Sequence, residues 1–164
     1  MLRQFHNINI KLIALELAGL LFAISGLKRF YVAFHALEYE AIANNDFEKL
    51  DGMYDKGFFQ FYLDQAYWML GFTVVCILSV WVLNRINKIK PINSIVITIV
   101  IIGLSFAGFF VKGPFNQLLD MFCEILSTEF AIAYFIGGLV LSLIGTYTMW
   151  FTLHQLKKPN ELPE

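Results

Sequence analysis

Polar and apolar positions along this chain fall into long blocks rather than a short alternation. Four apolar blocks stand out: Leu12 to Leu27, resuming at Phe30 to Leu37 beyond a basic pair; Ala66 to Leu83; Ile92 to Val111; and Phe130 to Leu153. The third block carries no charge in 20 residues and the fourth none in 24. A bilayer-crossing helix needs about 20 mostly apolar residues at about 1.5 Å rise each. The blocks therefore predict four spans, at about 12–37, 62–84, 92–112 and 130–154, within one membrane domain covering 1–164. The expected fold class is an all-α membrane protein: a four-helix transmembrane bundle with one or two short amphipathic helices on its outer side.

Those short helices come from the two longer connections. Asn45 and Glu48 have the spacing of a capping box, with Phe47, Leu50 and Tyr54 along one helical face and Gly57 at the end. In the second connection Pro114 suits the first position of a helix. Phe115, Leu118, Leu119, Phe122, Ile125 and Leu126 then recur at three- and four-residue intervals, against polar Asn116, Gln117, Asp120 and Glu124. This is the pattern of a helix in the membrane surface, or of one capping the bundle from outside.

Composition agrees with a membrane class. Hydrophobic residues make up 58% and charged residues 15% of the 164, against about 45–50% and about 25% in soluble domains. The net charge of −1 offers no basic surplus for nucleic acid. The distribution of charge says more. Arg3, Lys11, Arg85, Lys88, Lys90, Lys157 and Lys158 fall on one side of the predicted spans, whereas ten of the thirteen acids fall on the other. By the positive-inside rule both termini are cytoplasmic, and the bacterial inner membrane is the expected location. Arg3, Lys11 and the run Leu12 to Phe22, followed by Ala23-Ile24-Ser25, could also be read as a signal peptide. Glu16 inside that run, and the return of apolar residues beyond it, favour a retained helix.

Small residues should let helices approach closely: Gly19 and Ala23; Gly103 and Ala107; Ala133 and Gly137; Gly138, Ser142 and Thr146. Intrachain packing is their expected use, with homodimerisation through the last span as the alternative. Tyr67, Trp68, Trp81, Tyr134 and Trp150 are placed as rings that meet headgroups.

Candidate chemistry is sparse. Cys76 and Cys123 lie at different depths and form no metal or redox spacing. His6, His35 and His154 share no helix face, which disfavours a bis-histidine haem, and no phosphate loop or hydrolase motif occurs. Glu16 is the sharpest position, since a carboxylate within a span costs about 2.5–3.5 kcal/mol on insertion scales. It is expected near the cytoplasmic edge, reaching Lys11 or Arg85; a proton or cation site is the alternative. Lys28, Arg29, Asp64, Lys112 and Glu129 should lie at similar depth near the outer interface. Mutual pairing is the expected role, and a site for a polar headgroup or a quinone is the alternative. The ligand or ion candidates are thus Glu16, Lys28, Arg29, Asp64 and Glu129; no catalytic residue, metal ligand or cofactor is assigned.

The stretch Leu17-Ala18-Gly19-Leu20-Leu21-Phe22-Ala23-Ile24-Ser25-Gly26-Leu27-Lys28 resembles the first helix of DoxX-like membrane proteins. The last span, through Ile144-Gly145, is similar in flavour. The second span departs from that family's pattern: Ala66-Tyr67-Trp68-Met69-Leu70-Gly71 has one glycine and no carboxylate nearer than Asp64. The resemblance implies a small subunit tied to quinone-linked or thiol redox work beside a partner protein.

Three functions are compatible with these features. The first is a non-catalytic membrane subunit whose partners are the lipid bilayer and a membrane protein or another copy of itself. The second is a DoxX-like redox component, and the third a small proton-coupled transporter using Glu16.

Overall fold

The computed structural model describes residues 9–53 and 57–155. Among them every regular element is a helix: α1 Ile10–Phe34, α2 Ala36–Ala43, α3 Phe47–Met53, α4 Gly57–Ile86, α5 Pro91–Phe106, α6 Phe109–Lys112, α7 Pro114–Leu126 and α8 Phe130–Gln155. Three stretches are long and apolar enough to cross a membrane: Ile10–Phe34, Phe59–Ile86 and Phe130–His154. The third apolar block does not form one continuous helix over 92–112. Its helix α5 has 16 residues, about 24 Å at 1.5 Å per residue. The chain then turns at Gly108, whose φ of +71° is the left-handed region where glycine avoids the Cβ penalty.

The ends follow local chemistry. Asn9 caps α1, its side-chain oxygen accepting from the Leu12 amide at 3.1 Å. At the other end the backbone leaves the helix at His35 and restarts as α2, so the first block is divided near 35. Pro91 and Pro114 open α5 and α7, where a missing N–H costs no hydrogen bond. The expected cap at Asn45 is one residue early. Asn45 sits at φ +56°, while the carboxylate of Asp46 accepts from the Lys49 amide at 3.2 Å. Tyr54 lies outside the described residues.

The closest helix pair is α1 with α8. A Cβ placed on Gly145 would lie 2.6 Å from both the Ala23 nitrogen and the Gly19 carbonyl. One placed on Gly138 would lie 2.9 Å from the Gly26 carbonyl. Two small-residue faces therefore bring backbone against backbone, which gains dispersion contact without a hydrophobic drive. The row on α5 does not share this role. Gly103 has nothing within 4 Å of its Cβ direction, and Ala107 is exposed.

The principal core lies among α1, α4, α5 and α6, with Leu12, Leu20, Ile24, Val80, Ile97, Ile101 and Phe110 buried together. A smaller cluster joins Val32, Cys123, Ala133 and Tyr134. Tyr134 is thus an interior ring, unlike Tyr67, Trp68 and Trp150, which are exposed. Helix α4 is the least covered of the long helices: 17% of its most apolar window is buried, against 50% for α1. Beside it runs an apolar groove of about 430 Å³, lined by Met69, Leu70 and Thr73 of α4, Ile102 and Phe106 of α5, and Phe110.

Candidate functional site

Two polar clusters occupy opposite ends of α1. Glu16 and Arg29 are 13 positions apart, which is about 20 Å along a helix. Both are almost completely buried.

The first cluster is built where the start of α1 meets the end of α4 and the start of α5. Glu16 accepts from the Asn84 side-chain amide at 3.1 Å, and the same amide nitrogen reaches the Ser94 hydroxyl at 3.0 Å. Nearby, the Asn93 side-chain oxygen Oδ1 accepts from the Asn9 backbone amide at 3.1 Å. Among the described residues no ion pair reaches Glu16; Lys11 and Arg85, its expected partners, are exposed. The hydrogen-bonded partner Asn84 sits at the end of the second apolar block, and only its polarity within Leu83-Asn84-Arg85 could have flagged it. This arrangement can hold a carboxyl group in a dry interior by neutral hydrogen bonds.

The second cluster joins α1 to α7. Arg29 is completely buried and is held from several sides. Its Nη1 donates to the Ser25 carbonyl at 3.0 Å. Its Nη2 donates to the Asn116 carbonyl at 3.0 Å and to Asp120 Oδ1 at 2.8 Å. Lys28 Nζ donates to Asn116 Oδ1 at 2.9 Å, and the Asn116 amide nitrogen donates to Asp120 Oδ2 at 2.7 Å. Residues 116 and 120 are one helical turn apart, so both meet the same stretch of α1. The Cys123 thiol, one turn further, lies against Gly137 of α8 and beside the Arg29 guanidinium. Burial pushes that thiol up from its ordinary range, an effect the neighbouring Arg29 opposes.

This cluster reverses the ordinary sense of an amphipathic helix. Asn116, Leu119 and Cys123 face inward, and Asp120 joins them. Outward lies an apolar row of Leu118, Met121 and Ile125, the last 83% exposed. A helix in water would bury that row; here the buried cations claim the polar side instead.

The candidates from the sequence thus divide. Lys28 and Arg29 come together, but with Asp120 rather than with Asp64 or Glu129. Asp64 accepts from Gln60 Nε2 at 2.9 Å, within α4. Glu129 is exposed beyond α7, its amide donating to the Ser127 hydroxyl at 3.1 Å. Asn116 and Asp120 were legible as a polar pair at helical spacing, yet nothing in the chain indicated that they turn inward. Among the described residues no group of three His, Cys, Asp or Glu side chains is placed to hold a metal ion. No protein-family model, curated protein or solved structure matches this chain.

Proposed function

We propose that this protein is a small integral membrane subunit that works by lateral association with another membrane protein through the flank formed by α4 and α5. In this reading α1, α4 and α8 cross the bilayer. Helix α5, lengthened by the turn at Gly108 and by α6, supplies the fourth crossing. The outward row Leu118, Met121 and Ile125 supports a lipid setting, since hydrocarbon, unlike water, does not penalise it.

The observation that carries the association is the bare face of α4. Gly71, Val75, Leu78 and Val82 form one exposed stripe at three- and four-residue spacing, and Gly103 of α5 likewise has open space before it. Lipid would be satisfied by larger side chains. Gly71 and Gly103 leave open space on uncovered helix faces and allow a second backbone to approach, which is where glycines concentrate in membrane helix pairs.

A photo-crosslinking amino acid at position 75, on that stripe, tests the reading in native membranes; position 143, on the exposed face of α8, is the control. One discrete protein adduct at 75 and none at 143 is expected. Only lipid adducts at both positions would reject it, and an adduct with a second copy would make the chain a homo-oligomer.

A DoxX-like redox role, carried by the resemblance of Leu17 to Lys28, is the second reading. The polar group at the outer end of α1 favours it, with Lys28, Arg29, Asn116 and Asp120 as the polar contacts to a quinone ring. Co-purification of a quinone from native membranes is its test.

A further inference from the structure

The cluster at the junction of α1 and α7 is out of electrostatic balance. It holds two cationic side chains, Lys28 and Arg29, both at most 7% exposed. Among the described residues the one carboxylate that meets them is Asp120, and it acts on both. Cys123 adds no negative charge, because burial holds its thiol protonated. Buried charges are normally matched one to one, since an unmatched ion forfeits its hydration without recompense.

Hydrogen-bond capacity points the same way. An ammonium and a guanidinium together offer eight N–H donors. Among the described residues Lys28 makes one side-chain hydrogen bond, to Asn116 Oδ1. Arg29 Nε is fully buried with no acceptor among the described residues. The thiol beside that guanidinium is a weak acceptor at best. Helix geometry adds to the surplus. Asn116 lies in the first turn of α7, a 13-residue helix whose opening turn holds no acidic residue and whose Gly113 cap offers no side-chain acceptor. The positive end of that helix therefore adds to the two cations instead of offsetting them.

We propose that Lys28, backed by Arg29 and by the first turn of α7, binds a phosphate-type oxyanion where α1 and α7 meet. Such a ligand supplies the missing negative charge and several acceptor oxygens at once. Access is from the side of Asp120, whose carboxylate is 28% exposed. The anion is either the headgroup phosphate of an outer-leaflet phospholipid or a free phosphate. The proposal stands apart from the association through α4, which lies on a different helix and uses none of these residues.

The test uses the full chain purified in mild detergent and two probes, phosphatidylglycerol followed by native mass spectrometry and inorganic phosphate followed by thermal shift. At least one probe is expected to bind. Lys28→Met should weaken that binding by about tenfold or more, the loss of one charge-assisted contact, whereas Lys28→Arg should retain it. Asp120→Asn should tighten it, because the competing carboxylate is gone; a cluster serving structure alone would show no such gain. Binding of the lipid without competition by inorganic phosphate identifies a headgroup, and competition identifies a free anion. Binding of neither probe, or equal affinity of the native chain and Lys28→Met for both, overturns the proposal. Should Lys28→Met fail to fold, unchanged or weaker binding by Asp120→Asn overturns it equally.

Discussion

Replacing Gly145 by alanine should destabilise the protein, although alanine is the better helix former. The added Cβ would meet the Ala23 nitrogen and the Gly19 carbonyl at 2.6 Å, and the Ala23 Cα at 3.0 Å. Ordinary contact begins at 3.4 Å, so α1 and α8 must part by roughly 0.8 Å or bend. All three neighbours are main-chain atoms in helices, and no rotamer change can relieve the clash. Overpacking of this kind costs about 1–3 kcal/mol. Two controls isolate that cost. Gly71→Ala and Gly103→Ala carry the same gain in helix propensity, up to about 1 kcal/mol in water, with nothing within 4 Å of the new atom. Thermal unfolding in detergent, followed by tryptophan fluorescence, should place Gly145→Ala roughly 2–12 °C below either control, taking about 2–4 °C per kcal/mol for a chain of this size. Equal midpoints for the three variants would refute the close α1–α8 packing.

Other outcomes follow from the same geometry. Arg29→Met should cost about 1–3 kcal/mol, because the Ser25 and Asn116 carbonyls and Asp120 lose a buried donor while Lys28 remains beside the part-exposed carboxylate; unfolding at the native midpoint would show that these contacts are idle. Asn84→Leu should cost about 1–3 kcal/mol by stranding Glu16. Adding Glu16→Leu to it should cost less than the sum of the two single changes, and strict additivity in that cycle would deny the contact. Cys76 and Cys123 are both buried, and burial pushes the Cys123 thiol up, so its thiolate appears only above the ordinary range. Neither cysteine should react with a maleimide at pH 8 until the chain is unfolded, and rapid labelling of the native protein at position 123 would contradict the placement of α7.

The long helices could be read from the chain because each is an apolar block of spanning length, and a block needs no partner to declare itself. The same blocks concealed where a helix would stop. A single His35 or Gly108 within an apolar run does not announce a break, and only backbone geometry divides the runs there. The glycine rows on α1 and α8 found their expected neighbours, whereas Gly103 did not, since spacing shows that a helix can be approached closely but not whether anything approaches it. For the site, Lys28, Arg29 and Glu16 were conspicuous as charges in apolar company. Their partners were not, because Asn84, Asn116 and Asp120 are ordinary residues until folding brings them across 68, 88 and 91 positions of chain. Asn116 and Asp120 were particularly hidden. The amphipathic pattern of α7 shows two faces, and only the environment decides which one turns inward.

The number of crossings bears most directly on this account. Single cysteines introduced as Asn44→Cys, Asn87→Cys and Thr128→Cys, in a chain whose own two cysteines have been replaced, can be labelled with a membrane-impermeant maleimide in spheroplasts and again after lysis. Four crossings place positions 44 and 128 on the outside, labelled in intact spheroplasts, and position 87 on the inside, labelled only after lysis. If position 128 is protected together with position 87, α5 and α6 do not cross, three helices span the membrane, and the two termini lie on opposite sides.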